Sequence, residues 1–318
     1  MEIKLYLEEG VGKAKIKDGV ASQVTKEAEH VGVNLDSIEM VGVASAENYP
    51  TAMKEFFGDE LYTHEKGGLI AAGKAKSFKN DENLCHRIML LDGIAGGLLA
   101  ADSYFEQGSE IPIGVLDSLH VLSHELGHCR DHELRENSLE NKEQKVLSFP
   151  EGFDLDVVHH YYSRILIDEF SACFLARRYL ALGHLEYQVK SDQETLQRKF
   201  QECEDLKRKS QTDPEFITDV AIASSGVLWL YLIQYTKLWA GKTGGFFEDY
   251  SIPALMFFEY GLTFDSEAMD EFLEGLASSY PNICVEEDVL ERIWEILSFC
   301  AGYKFEQTER GWACYWRN

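Results

Sequence analysis

Positive charge is scarce in this chain: 30 lysines and arginines stand against 55 aspartates and glutamates, a formal net charge of −25 over 318 residues. A surface of that sign repels phosphate backbones and anionic headgroups, so nucleic acid is not an expected partner. The seven cysteines are odd in number, scattered, and never spaced C-x-x-C. That argues against a disulfide framework and for a reducing compartment. The start, MEIKLYLEEG, lacks the basic and apolar regions of a secretory signal. One uncharged stretch, VAIASSGVLWLYLIQYT at 220–236, falls short of the ~18–20 residues that span a bilayer. It carries Ser224, Ser225 and Gln234 and reads as a buried core helix. Repeats and low-complexity tracts are missing as well. These absences together predict a cytoplasmic protein without a membrane partner.

What is present is ample core material, with 45% apolar residues. The first hundred residues alternate strand and helix signals. IKLYL (3–7), IEMVGVA (38–44), GGLIAAGKA (67–75) and HRIMLLD (86–92) read as short strands. GVASQVTKEAEHVGV and ENYPTAMKEFFGDE between them read as helices, the second with Asn48 as a candidate N-cap and Pro50 in its first turn. The Gly-rich GIAGGLLAADSYFEQGSEIPIG suggests a loop with one short helix. A helix is predicted over 115–133, a polar connection over 135–156, and a long helix over 157–182 ended by Gly183. Farther on, helical signals cover 193–210, the stretch after Pro214, 266–278 and 286–300, and the tail YKFEQTERGWACYW alternates like a hairpin. The expected division is a domain over 1–184 and a mainly helical region over 185–318, possible partners in one core.

The chemistry concentrates in LHVLSHELGHCRDHEL, residues 119–134. Residues four apart share a helix face, so His124 and His128 project side by side toward one small cation. Glu125 lies about 100° around the helix, where it can reach a water on the metal without ligating it. This is H-E-x-x-H, two imidazole ligands and a general base. Gly127 between them lets another backbone come close. A third protein ligand is needed. His132 lies eight residues past His124, about 80° off its face and ~12 Å along the axis, and His120 meets a similar objection. In RILIDEFSACFLARRYL, Glu169 heads a stripe of Ala172, Ala176 and Leu180 on one helical face, so its carboxylate can approach a neighbouring helix. Asp168 is the alternative and does not share that face.

HELGH followed by E-x-x-A-x-x-x-A resembles the glutamate zincins, and in particular the ImmA/IrrE-like peptidases, over roughly residues 38–182. The resemblance implies an α+β zincin-like core: a small mixed sheet, an active-site helix and a glutamate helix. It implies His124, His128 and Glu169 as ligands of Zn2+, with Glu125 as catalytic base. Three departures stand out. Arg130 replaces a usual apolar residue, the link between the two helices is long, and Cys173 stands where many such enzymes have an Asp that orients a ligand His.

The expected activity is hydrolysis of a peptide bond in a protein or peptide substrate, with zinc acidifying a bound water, Glu125 taking its proton, and a donor within His159–Tyr162 holding the oxyanion. The rival expectation is a zincin scaffold that binds or regulates and cleaves nothing. An extended substrate would add to the sheet edge, for which HRIMLLD followed by GIAGGLL is the candidate. Overall charge would steer a neutral or basic partner toward it.

Overall fold

The computed structural model describes residues 1–8, 12–57, 72–80, 83–135, 155–180, 197–198, 201–213, 235–237, 239–240, 243, 266–280, 303–308 and 311–316. The fold is mixed α+β, a four-stranded sheet among mostly helical elements. Its elements begin β1 (Glu2–Tyr6), α1 (Lys13–Val31), a 3-10 turn (Leu35–Ser37), β2 (Ile38–Ala44) and α2 (Tyr49–Phe57). They continue with β3 (Gly73–Asn80), β4 (Asn83–Leu91), α3 (Asp92–Gln107), α4 (Ile113–Arg135), α5 (Leu155–Ala176) and a 3-10 turn (Arg177–Tyr179). The chain forms two compact units. The first takes 1–140, 171–184 and 244–246, and the second takes 141–170, 185–243 and 247–318. Helix α5 runs unbroken through the division between Phe170 and Ser171.

Strand order in the sheet is β1-β2-β4-β3, with β1, β2 and β4 parallel and β3 antiparallel to β4. Parallel strands with both faces covered become nearly continuous apolar runs, and β2 (IEMVGVA) is buried along almost its whole length. One face carries Ile3, Val41, Val43, Ile88 and Leu90 into a core with Val24, Leu98, Leu119 and Leu126 from the helices. The other face buries Met40, Ala44 and Met89 under Ala52, Phe56 and Phe57 of α2.

Three local expectations are corrected, and a fourth, the N-cap at Asn48, is met in position. HRIMLLD is not an edge, because β4 lies between β2 and β3. The edges of the described sheet are β1 and β3, and β3, GKAKSFKN, carries lysines that suit a flank. GIAGGLLA is not a loop but the start of α3: Ile94, Ala95, Leu98 and Ala101 recur at helical spacing and are buried. Helix α5 ends at Ala176 rather than Leu182, because the chain tightens into the 3-10 turn that carries Arg178 and Tyr179 to Glu27. Asn48 holds the N-cap position through its carbonyl, which accepts from Ala52 N at 2.8 Å, while its side-chain amide donates to Tyr6 O.

In the second unit, residues 201–210 are helical, α6 spans Ser266–Ser279, and β5 (Tyr303–Thr308) pairs antiparallel with β6 (Gly311–Trp316), the hairpin expected of the tail. Tyr235 donates to Asp270 at 2.6 Å within it. Of the connection expected at 135–156, Arg135 ends α4 and Leu155 and Asp156 begin α5; its residues 136–154, residues 220–234 of the apolar stretch at 220–236 and the helix expected at 286–300 lie outside the described residues. Among those described, no helix is long and apolar enough to cross a membrane.

Candidate metal centre

Helix α4 is held by one buried face, Val115, Leu119, Leu122, Leu126 and Cys129. Beside it a second anchor sets the rotation. Ser123 donates to Glu27 Oε2 at 2.6 Å, and the same carboxylate accepts from Arg178 at 2.6 Å and Tyr179 OH at 2.6 Å. Burial, then the neighbouring Glu27 carboxylate, pushes the Tyr179 phenol far up, which keeps it a donor. With those faces committed, His124 and His128 project half-buried from the adjoining side.

Helix α5 approaches this side at Gly127. A Cβ there would come within 2.8 Å of the Ala172 backbone, so Gly127 paired with Ala172 is what permits the close crossing. Next to Ala172, Cys173 Sγ lies 3.8 Å from His124 Nδ1, and one turn on His120 Nδ1 lies 3.4 Å from Ala176 O. His120 thus faces the α5 backbone. The thiol contact occupies the ring nitrogen of His124 that points away from His128, the orienting role that the sequence had left without an Asp.

The two imidazoles meet edge to face, with rings 88° apart and Nε2 atoms separated by 3.1 Å. Glu169, one turn before Cys173 on the same helix, brings a carboxylate oxygen to them, and the three ligand atoms all lie within 4.8 Å of one another. Two nitrogens at that spacing, each ~2.0–2.1 Å from a shared centre, subtend roughly 100°, close to a tetrahedral angle. The donor set of two imidazoles and a carboxylate therefore fits a zinc ion. Asp168 joins a different group, with Asp131 and His132. His159, His160, Tyr161 and Tyr162 lie on α5, with side chains outside the described residues.

Glu125 is buried, 7% exposed, and packs against the first residue of β3. A Cβ on Gly73 would meet Glu125 Cγ at 2.8 Å and Oε1 at 3.0 Å. Gly73 thus admits the carboxylate to the sheet edge. Tyr49, on the other side of the sheet's rim, is buried, and its phenol is pushed up by burial and then by the charge of Glu125. Sequence patterns had singled out neither residue. A glycine inside a strand run is a sign of close approach, and Gly73 carries that sign. Tyr49 carries none.

The chain matches no family model, no curated protein and no solved structure.

Proposed function

We propose that the chain is a zinc-dependent peptidase of the glutamate zincin type, resembling the ImmA/IrrE-like peptidases, which hydrolyses a peptide bond in a protein substrate. The observation that carries this proposal is the convergence of His124, His128 and Glu169, with the buried Glu125 next to His124 on α4. A bound zinc would supply Lewis acidity, polarising the scissile carbonyl and acidifying water. The residues of the chain do the rest. Glu125, shielded from bulk water, accepts the proton of the attacking water at a carboxylate oxygen and returns it to the leaving amide nitrogen. Cys173 keeps the His124 ring turned with Nε2 toward the site. Strand β3 offers an extended substrate a flank on which to pair, adjacent to Glu125 through Gly73.

Two variants test this. Glu125→Gln should retain bound zinc and lose turnover by about 10²–10⁴-fold, since an amide cannot accept the proton. His128→Ala should hold one zinc fewer per chain. Substrates can be found as new protein termini that accumulate in cells expressing wild type and not Glu125→Gln. Cleavage at the wild-type rate by that variant would refute the mechanism. Zinc bound with no new termini in either strain would favour a binding scaffold.

A further inference from the structure

We propose that the hydroxyl of Tyr49 is a further catalytic group, donating a hydrogen bond to the oxygen of the attacked carbonyl as negative charge gathers there. This rests on the peptidase proposal and adds to it a residue from outside the HELGH and glutamate helices. Tyr49 is 4% exposed, and its hydroxyl oxygen is buried with no hydrogen-bond partner among the described residues. A buried hydroxyl left unpaired costs stability, and native structures rarely keep one without a reason. Phenylalanine would fill the same space among Met40, Ala44, Phe56 and Met89 without that cost.

The sheet places Tyr49 at the carboxyl ends of its parallel strands. Tyr6, Ala44 and Leu91, the last residues of β1, β2 and β4, stand side by side in register, and Leu91 N donates to Ala72 O at 3.0 Å, next to Gly73. Glu125 meets this line at Gly73. Tyr49 meets it from the β2 side, where it opens α2. Asn48 fixes that entry, donating from Nδ2 to Tyr6 O at 3.2 Å and from its backbone N–H to Ser45 Oγ at 3.3 Å. After β2 the chain crosses to the face buried by α2, and after β4 to the opposite face, buried by α3. Where adjacent parallel strands send their connections to opposite faces, ligands bind outside the carboxyl ends of those strands. Tyr49 stands on the β2 side of that position and Glu125 on the β3 side. The Glu125 carboxylate acts on the phenol through space, and burial and that charge together keep the phenol protonated. In the step itself, the water oxygen bonds the carbonyl carbon, Glu125 takes the water proton, and the carbonyl oxygen gains the electron pair of its π bond. Tyr49 O–H donates to that oxygen and keeps its own proton, so the hydroxyl is paired when substrate is bound.

Tyr49→Phe in the full chain removes the hydroxyl and keeps the ring. The substrate is a peptide spanning a cleavage site whose new terminus depends on Glu125. The variant should keep its zinc, unfold at a higher denaturant concentration than wild type, and lose kcat by about 10²–10³-fold with KM little changed. Affinity for the phosphinic analogue of that peptide, a mimic of the tetrahedral intermediate, should fall with kcat. A hydroxyl that merely supports the fold would do the opposite, lowering the unfolding midpoint and leaving kcat and analogue affinity intact. Unchanged kcat overturns the proposal, and so does a rise in KM alone, which marks ground-state binding. If wild type yields no Glu125-dependent terminus, the peptidase proposal falls and takes this inference with it. Wild-type cleavage abolished by Glu125→Gln and untouched by Tyr49→Phe defeats the inference alone.

Discussion

Ser123 and His124 are neighbours on α4, yet they enter two polar clusters built on opposite principles. Ser123 belongs to the Glu27 cluster, where a single buried carboxylate accepts from a serine, an arginine and a tyrosine. There the protein itself supplies the donors and the countercharge. His124 belongs to a group in which two imidazole nitrogens lie within hydrogen-bond distance, 3.1 Å apart, with a carboxylate close by. The first is complete as protein and serves as a rivet among α1, α4 and the turn after α5. The second is a group that could hold a cation. The two differ in their chemistry, although both are half or wholly buried.

That contrast can be broken from either side. The largest stability effect should come from Glu27→Ala, which leaves Arg178 and Tyr179 facing a void: about 3–5 kcal/mol by denaturant melt. The folded fraction should keep its zinc. Chelation should act the other way, lowering the stability of wild type by about 3 kcal/mol more than that of His128→Ala, because one ion at 100 times its Kd contributes about 2.7 kcal/mol. Equal losses in both would show that His128 holds no ion. Gly127→Ala should cost about 1–3 kcal/mol and weaken zinc binding together, since the added methyl meets the Ala172 backbone. An unchanged affinity would mean that the crossing does not set the site. The smallest effect concerns pH. Glu133 titrates lower when folded, so its contribution is intact above the ordinary carboxyl value of 4.5 and fades as pH falls through the lowered one. Glu133→Gln should flatten the acid limb of the stability profile below pH 4.5, costing most at neutral pH, where the contribution is intact, and least in acid.

Much of this was written locally in the chain. The i, i+4 histidines, the glutamate next to the first, and the small-residue stripe after Glu169 follow from helix periodicity. So do β2 and the terminal hairpin, both strongly patterned. Glycines misled at α3, where their turn preference hid the 94, 95, 98, 101 spacing. Long-range pairing was not legible. Which strand forms the edge depends on β3 adding antiparallel outside β4, and a hydrophobic pattern does not encode strand order. Cys173 against His124 and Gly73 under Glu125 join segments far apart in sequence.

The lysines of β3 have a consequence for how copies of the chain behave toward each other. Lys74 and Lys76 project from one side of the strand and Lys79 from the other, on a chain that is otherwise strongly acidic. If two molecules met flank to flank, lysine would fall near lysine, and like charges across a strand pair are destabilising. Among the described residues, the flank beside Glu125 thus carries charges that oppose its pairing with its own kind in concentrated solution.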